Sequence, residues 1–242
     1  SNTIPLYNTL DYVEMPQPIK LVKNGDDTLE VSLPTMTMPR LPEMPHKDTT
    51  SKDLVQLGRK LFTLFGVCST EEKYLLNVSK YNNCLSFVAK GLTILWYDTG
   101  RFYIGGYRMV KNEGQKHGKG IEYIPKRYLY DGEFKANKKF GFGSLRYPNG
   151  DSYEGQFYNG LKHGKGRLLQ KNGIVYNGEW KNEKMDGFGV LELATGERYK
   201  GFFESGAQHG SGLIRFANGD EYKGEFVQGR FYGKGTYVWS NG

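Results

Sequence analysis

The stretch YEGQFYNGLKHGKG (residues 153–166) contains, in order, a tyrosine, a glycine, a second aromatic residue and a Gly-x-Gly pair. The same order recurs every 23 residues through the second half of the chain. The repeated tyrosines are Tyr130, Tyr153, Tyr176, Tyr199 and Tyr222. The aromatic residues four positions later are Phe134, Phe157, Trp180, Phe203 and Phe226. A fixed period of this kind predicts stacked copies of one small structural unit.

The alternation inside each unit predicts a β-hairpin. Residues at positions i, i+2 and i+4 of a strand share one face, so Tyr153, Gly155 and Phe157 lie together with bare backbone between the rings. Most units close on an Asn-Gly dipeptide, as at Asn149-Gly150, which accepts positive φ at both centres of a two-residue turn. We expect the longer, glycine-rich stretch 159–164 to form the other turn. The predicted fold is therefore mainly β, an elongated, twisted antiparallel sheet of stacked 23-residue hairpins.

The repeats divide the chain into segments. Five full repeats are predicted at 130–152, 153–175, 176–198, 199–221 and 222–242. Residues 91–129 look like degenerate repeats, because the pair Gly118-x-Gly120 comes four residues late after Tyr103. We therefore expect an enlarged loop over residues 108–117.

The N-terminal third has a different composition. Residues 1–48 hold seven of the nine prolines and should form an extended arm, which is either a disordered tail or a segment lying on this protein's sheet or on a partner. Between residues 49 and 90 we predict short helices that cap the sheet. One spans 53–66, with its apolar residues on one face, and a second opens with the capping box at Ser69 and runs to about Lys80. An amphipathic membrane anchor is the alternative for these helices.

The quoted stretch resembles the pattern YxGxWxxGxxxGxG of the MORN (membrane occupation and recognition nexus) repeat family. The resemblance covers residues 100–242. It implies the hairpin-stack fold and a docking or membrane-association role. Modules of this family occur in ciliary, cytoskeletal and junctional proteins, and beside the catalytic parts of some enzymes.

No motif in the sequence indicates catalysis or a cofactor. The Gly-x-Gly pairs lie in predicted hairpins rather than in a βαβ unit, so they are not dinucleotide fingerprints. His117, His163 and His209 stand 46 residues apart, which is two repeats each and too far for shared metal coordination. We therefore expect a chain that is not an enzyme and that holds neither a metal nor a cofactor.

The positive charge is concentrated in one part of the chain. Residues 101–173 contain 15 basic and six acidic side chains, a net charge of +9. Lysines recur at matching places there and are expected to line one edge of the sheet: Lys116, Lys119, Lys138, Lys139, Lys162 and Lys165. This edge is either simply solvated or binds an anionic lipid headgroup or an acidic protein surface. Nucleic acid is disfavoured, because the aromatic residues are needed for the core rather than for base stacking.

Three functional hypotheses follow. The first is a scaffold that binds a protein partner along its aromatic–glycine face, in a cytoskeletal or ciliary assembly. The candidate contacts are Tyr153, Phe157, Tyr176, Trp180, Tyr199 and Phe203; if the chain itself covers all six, the partner face lies elsewhere. The second is a peripheral membrane module that binds anionic phospholipid through the basic edge, and the third is a regulatory part of a larger enzyme.

Location and oligomeric state are less constrained. The chain lacks an apolar run of membrane-spanning length and a signal-peptide pattern. We expect a cytoplasmic protein, associated with the cytoskeleton, a cilium or the inner face of a membrane. Pairing of an exposed terminal strand with a second copy would form a dimer, but no residue decides this.

Overall fold

The structure, a computed structural model, describes residues 12–13, 38–39, 51–64, 77–81, 84–89, 92–111 and 113–241. The chain divides into two compact units, Ser1–Phe102 and Tyr103–Gly242.

The first unit contains one described helix and a short antiparallel meander. The helix α1 (Ser51–Leu64) has Asp53 in its first turn and contacts the first strand of the meander. A two-residue strand β1 (Tyr12–Val13) pairs with β2 (Met38–Pro39). The meander strands pair in sequence order and are β3 (Asn77–Tyr81), β4 (Cys84–Ala89) and β5 (Leu92–Tyr97). Their buried side chains include Phe87, Ile94 and Trp96.

The meander corrects part of the prediction for residues 49–90. Residues 77–81 form a strand rather than the end of a second helix, because Asn77–Tyr81 pairs along its whole length with β4. The start of that predicted helix, and all but four residues of the predicted arm over 1–48, lie outside the described residues. The capping role of the helices stays a prediction.

The second unit is an open antiparallel sheet whose strands follow one another in sequence order. Its strands are β6 (Phe102–Val110), β7 (Glu113–Ile124), β8 (Tyr128–Lys135), β9 (Lys138–Arg146), β10 (Ser152–Tyr158), β11 (Leu161–Leu169), β12 (Val175–Lys181), β13 (Lys184–Glu192), β14 (Arg198–Glu204), β15 (Ala207–Arg215), β16 (Glu221–Val227) and β17 (Arg230–Val238). The prediction of a mainly β fold of stacked antiparallel hairpins is confirmed.

The enlarged loop predicted over residues 108–117 is wrong. Strand β6 continues to Val110 and β7 begins at Glu113, so the additional residues lengthen two strands. The reason is cross-strand packing: a Cβ at Gly114 would lie 2.0 Å from the hydroxyl oxygen of Tyr107. The glycine therefore gives the Tyr107 ring a place on the sheet, and the backbone stays extended there.

Each repeat has two turns, and their types are exchanged relative to the prediction. Two-residue turns with positive φ at both centres lie at Asn159-Gly160 (54° and 89°) and its equivalents, not at the repeat boundary. At the boundary turn only Gly150 has positive φ (96°), and the amide of Asp151 donates to Oδ1 of Asn149. The glycine after the short turn lies at an irregularity of the strand pairing. Gly164 has a positive φ (66°), and the register on the opposite strand shifts between Gly155 and Phe157.

Candidate binding surfaces

One face of the second unit, here called the aromatic face, is built around pairs of facing glycines. Gly155 lies opposite Gly166, and the ring of Tyr153 covers both. A Cβ at Gly166 would be 2.2 Å from the Tyr153 hydroxyl oxygen, so only glycine fits beneath the ring. The Tyr153 hydroxyl donates to the carbonyl oxygen of Gln156 (3.0 Å), which fixes the orientation of the ring. The same arrangement recurs under Tyr130, Tyr176, Tyr199 and Tyr222.

The rings of successive repeats form a continuous edge-to-face ladder. Phe157 lies 5.2 Å from Tyr153 of its own repeat and 5.2 Å from Tyr130 of the previous one. Trp180 bridges Tyr176 (5.2 Å) and Tyr153 (5.3 Å) in the same way. Each such pair adds about 0.5–1.5 kcal/mol beyond the area that it buries. The ladder therefore joins each hairpin to its neighbours.

This ladder is the core of the sheet and not a free surface. Of the six aromatic residues expected to contact a partner, none is more than 5% exposed: Tyr153, Phe157, Tyr176, Trp180, Tyr199 and Phe203. The chain's own rings and glycines cover them. This corrects their expected role, and a partner surface has to be sought elsewhere.

Burial also determines the protonation of the tyrosines. It raises the pKa of Tyr199 to about 12 and raises the pKa values of Tyr103, Tyr130, Tyr153 and Tyr176 above their ordinary value. These hydroxyls are therefore neutral donors at physiological pH.

The six lysines expected along one edge are divided between two faces. Lys116 and Lys162 are buried on the aromatic face, where they pair with Glu122 and Glu183, respectively. Lys139 lies over the ring of Tyr128, with Nζ 3.9 Å from the ring centroid.

The other three lysines are exposed. Lys119 and Lys165 are on the opposite face, beside Glu133 and Glu179 of the neighbouring strands. Lys138 donates to Asn159 at the hairpin turn (2.6 Å). The predicted continuous basic edge is therefore not formed. The phase of the strands places Lys162 four positions before Gly166, which is a signal that could have located it on the aromatic face.

The opposite face, here called the second face, is polar for most of its described length. From β8 to β11 it presents charged side chains: Asp131, Glu133, Arg146, Glu154, Lys165 and Arg167. Further along, Arg198 pairs with Glu192 (3.0 Å) and Arg215 pairs with Glu221.

An apolar patch interrupts this polar surface on strands β13 to β15. It consists of Phe188, Val190, Phe202 and Leu213. Phe188 and Phe202 face each other across the strands, with their centroids 5.4 Å apart, and are 41% and 51% exposed. Sequence reasoning missed this apolar patch, although both phenylalanines stand out of phase with the repeated tyrosines.

One lysine lies within the apolar patch. Lys200 is exposed between Val190 on one neighbouring strand and Leu213 on the other. Lys223 is the next cross-strand neighbour after Leu213. In the part of the chain that the structure describes, neither ammonium forms an ion pair.

Within the described ranges, no group of three or more histidine, cysteine, aspartate or glutamate side chains is arranged to hold a metal ion. His209 lies 3.3 Å from Glu204, within its own hairpin. Among the residues that the structure describes, no helix is long and apolar enough to cross a membrane.

Comparison with known proteins supports the repeat assignment. The profile of the MORN repeat matches residues 112–126, 130–152, 153–175, 176–198, 199–221 and 222–242, which together exceed half of the chain. The chain belongs to the MORN repeat family. The first of these MORN repeats covers strand β7, which lies in the segment 91–129 that was predicted to hold degenerate repeats. No curated protein matches the chain.

Solved structures that match this MORN-repeat chain do so at low identity and low TM-score. One is the TCP domain of SAS-4 (dCPAP) of Drosophila melanogaster in complex with a proline-rich motif of Ana2 (dSTIL), at 11% identity and a TM-score of 0.37, covering 64% of this chain and 90% of that one. Another is the TCP10 domain of CPAP from Danio rerio, at 11% identity and a TM-score of 0.25, covering 71% and 92%, respectively.

Proposed function

We propose that this MORN-repeat chain is a non-enzymatic scaffold that binds another protein through the apolar patch on its second face. The observation that supports this is the Phe188–Phe202 pair, because these two exposed rings face each other across neighbouring strands on a largely polar face. Exposed aromatic anchors at the centre of a patch supply most of the binding energy in protein interfaces. A single aromatic pair with a charged surround fits such an anchor.

The charges around the apolar patch describe the partner. Lys200 lies inside the patch and Lys223 at its margin, and both lack a carboxylate partner among the described residues. A segment that combines apolar side chains with a glutamate or aspartate would pair with these lysines while covering the rings. We therefore propose a partner segment of apolar and acidic composition.

Site-specific photo-crosslinking in native cells tests this proposal. A benzoylphenylalanine at position 188 should crosslink to one discrete protein, and Phe202→Ser in the same chain should abolish that crosslink. Position 142 is the matched control: Phe142 has the same register two repeats earlier and is 56% exposed, but faces Gln156 instead of a second ring. Identical crosslinks from positions 188 and 142 would refute a specific site.

We further propose that the scaffold acts in a cytoskeletal or ciliary assembly. This rests only on the settings in which MORN modules occur. Imaging of the tagged chain beside tubulin and membrane markers tests it, since a diffuse distribution would remove the assignment.

An anionic phospholipid surface is the second candidate, and the net charge of +9 over residues 101–173 favours it. The exposed lysines are the ones that could reach a membrane. Replacement of Lys119, Lys138 and Lys165 by glutamate should therefore abolish co-sedimentation with phosphoinositide liposomes. Retained co-sedimentation would exclude this route. The regulatory role in a larger enzyme and dimerisation through a terminal strand stay predictions.

A further inference from the structure

A cleft of about 430 Å³ opens on the aromatic face of the MORN repeats, away from the apolar patch. Its lining includes Tyr147, Leu168 and Gln170. Gln170 occupies the register position that holds Tyr147 one repeat earlier and Leu193 one repeat later. The apolar row along this face is therefore interrupted by a polar side chain at the cleft.

Lysines supply the charge of the cleft. Lys162 lies in its lining and is only 8% exposed, with Nζ 5.7 Å from the ring centroid of Tyr147. Its ion-pair partner Glu183 is 3.2 Å away but has a 42% exposed side chain, so water weakens that pair. Lys126, which is exposed, lines the cleft as a second cation.

More positive charge lies close by. Burial lowers the pKa of Lys139, and Glu122 and Glu183 act in the opposite direction. The charges of Lys162 and Arg127 add to the lowering. Lys139 and Lys162 are therefore close enough to repel each other, which adds positive charge beside the lining of the cleft.

The carboxylate that lines the cleft is already used by the fold. Oδ2 of Asp151 accepts from the side-chain amide of Asn149 (2.8 Å) and Oδ1 accepts from the backbone amide of Lys171 (2.9 Å). Asp151 thus holds the turn together and, among the described residues, forms no ion pair with Lys126 or Lys162, although its negative charge remains. It also makes the cleft less suited to a dianion than to a single negative charge.

We propose that this cleft binds the carboxylate of an acidic peptide segment, with Lys162 and Lys126 contacting the carboxylate and Tyr147 and Leu168 packing against its aliphatic stem. Charge complementarity and the mixed lining select this ligand. A carboxylate on a short aliphatic stem matches both the lysines and the apolar walls. The cleft is independent of the apolar patch because it lies on the other face.

Fluorescence anisotropy tests the proposal on the whole chain. The probe is a short fluorescein-labelled peptide of alternating glutamate and leucine, and its counterpart has glutamine in place of glutamate. The glutamate peptide should bind saturably and the glutamine peptide about tenfold more weakly or worse, as expected for loss of a charge-assisted contact. Equal binding of the two peptides would overturn a carboxylate site.

Variants locate the binding. Lys162→Met is compatible with the fold because Met185 occupies the same register one repeat later, and Glu183→Gln in the same chain avoids leaving a carboxylate alone. The affinity for the glutamate peptide should fall about tenfold in this double variant, and about tenfold in a separate Lys126→Met variant. Lys165→Met is the matched control, since it removes one charge from the same strand on the second face, and should leave binding within about twofold.

Two results would overturn the assignment. An equal loss in Lys165→Met would show that the peptide follows overall charge rather than the cleft. Displacement of the peptide by inorganic phosphate or phosphoinositide vesicles, at lower concentrations than by acetate, would assign the cleft to phosphate instead. Urea unfolding of each variant confirms that any loss of binding is not a loss of fold.

Discussion

The two halves of the repeat sheet share a backbone and differ in chemistry. The lysine half (residues 113–169) and the apolar half (residues 175–238) both place tyrosine rings over facing glycines. One aromatic-face position per repeat distinguishes them, holding Lys116, Lys139 and Lys162 in the first half and Met185, Gln208 and Phe231 in the second. The tyrosines and glycines therefore determine the register in both halves, while the position of Lys162 and its equivalents can vary and carry a local function.

The difference extends to the proposed sites. The cleft lies in the lysine half, on the aromatic face, and the apolar patch lies in the other half, on the second face. A repeat sheet of this kind can therefore carry two separate sites without altering its backbone.

The largest expected effect comes from adding a Cβ beneath a tyrosine. Gly155→Ala would place it 2.4 Å from the Cα of Gly166 and 2.6 Å from the hydroxyl oxygen of Tyr153, so the free energy of unfolding should fall by about 3 kcal/mol or more. Urea denaturation measures the change. The control Gly160→Ala meets no atom within 4 Å and bears only the strain of its positive φ, about 1–2 kcal/mol.

The same experiment checks the comparison itself. Gly178 has the equivalent place in the apolar half, where an added Cβ would lie 2.5 Å from the Cα of Gly189. Gly178→Ala should therefore destabilise as strongly as Gly155→Ala. A clearly smaller loss at Gly178 would mean that the two halves do not share one frame.

Alkaline pH should destabilise both halves together. Because the folded pKa of Tyr199 is raised to about 12, above the ordinary value of 10.0, its contribution is complete below about pH 10 and is lost as pH rises through 12. Tyr130, Tyr153 and Tyr176 shift in the same direction. Unfolding free energies measured across this range should decline, less steeply in Tyr199→Phe. A flat profile would contradict the buried neutral hydroxyls.

Exchanging the variable residue should reveal an asymmetry between the halves. Met185→Lys places an ammonium beside Trp180 without a carboxylate, because Gly206 stands where Glu183 serves Lys162, and should cost about 1–2 kcal/mol. Lys162→Met should lower the free energy of unfolding by less, since the Glu183 side chain is solvated and tolerates the loss of its ion-pair partner. Thermal or urea unfolding compares them. Gly206→Glu alone bears the strain of its positive φ (95°), so it should cost less in the Met185→Lys chain than in the parent chain, and an equal cost in both would argue against the ion pair as the reason.

The smallest expected effect on stability is at the apolar patch. Phe202 is 51% exposed, so Phe202→Ser should change the unfolding free energy by about 0.5 kcal/mol or less while abolishing the crosslink from position 188. Phe142→Ser serves as the control for surface hydrophobicity. A large loss of stability in Phe202→Ser would make the pair part of the core rather than a docking site.

The repeat frame could be predicted from the sequence because its signals are local and periodic. Tyr153, Gly155 and Phe157 alternate on one face, and the spacing of 23 residues repeats that face. The turns were harder, since Asn149-Gly150 and Asn159-Gly160 are the same dipeptide. Loop length and the register shift opposite Gly164 decide which of them forms the two-residue turn, and both depend on pairing between strands.

The surfaces were less predictable because they depend on neighbouring strands. Burial of Trp180 requires contacts with Tyr153 of the preceding repeat, which a single strand does not specify. The apolar patch requires Phe188 and Phe202 to face each other across two strands, so it needed the register. The strand β3 at Asn77–Tyr81 follows from the same cause, since its pairing with β4 outweighs the local helix signal.

The aromatic ladder has an optical consequence. Tyrosine excitation migrates to a nearby indole, and Trp180 lies 5.2 Å from Tyr176 and 5.3 Å from Tyr153 in the middle of the ladder. The other two tryptophans differ in surroundings, since Trp96 is buried in the first unit and Trp239 is 62% exposed. Replacing both with phenylalanine would leave Trp180 as the sole energy acceptor. The emission of this one side chain would then report the melting of the central hairpins alone.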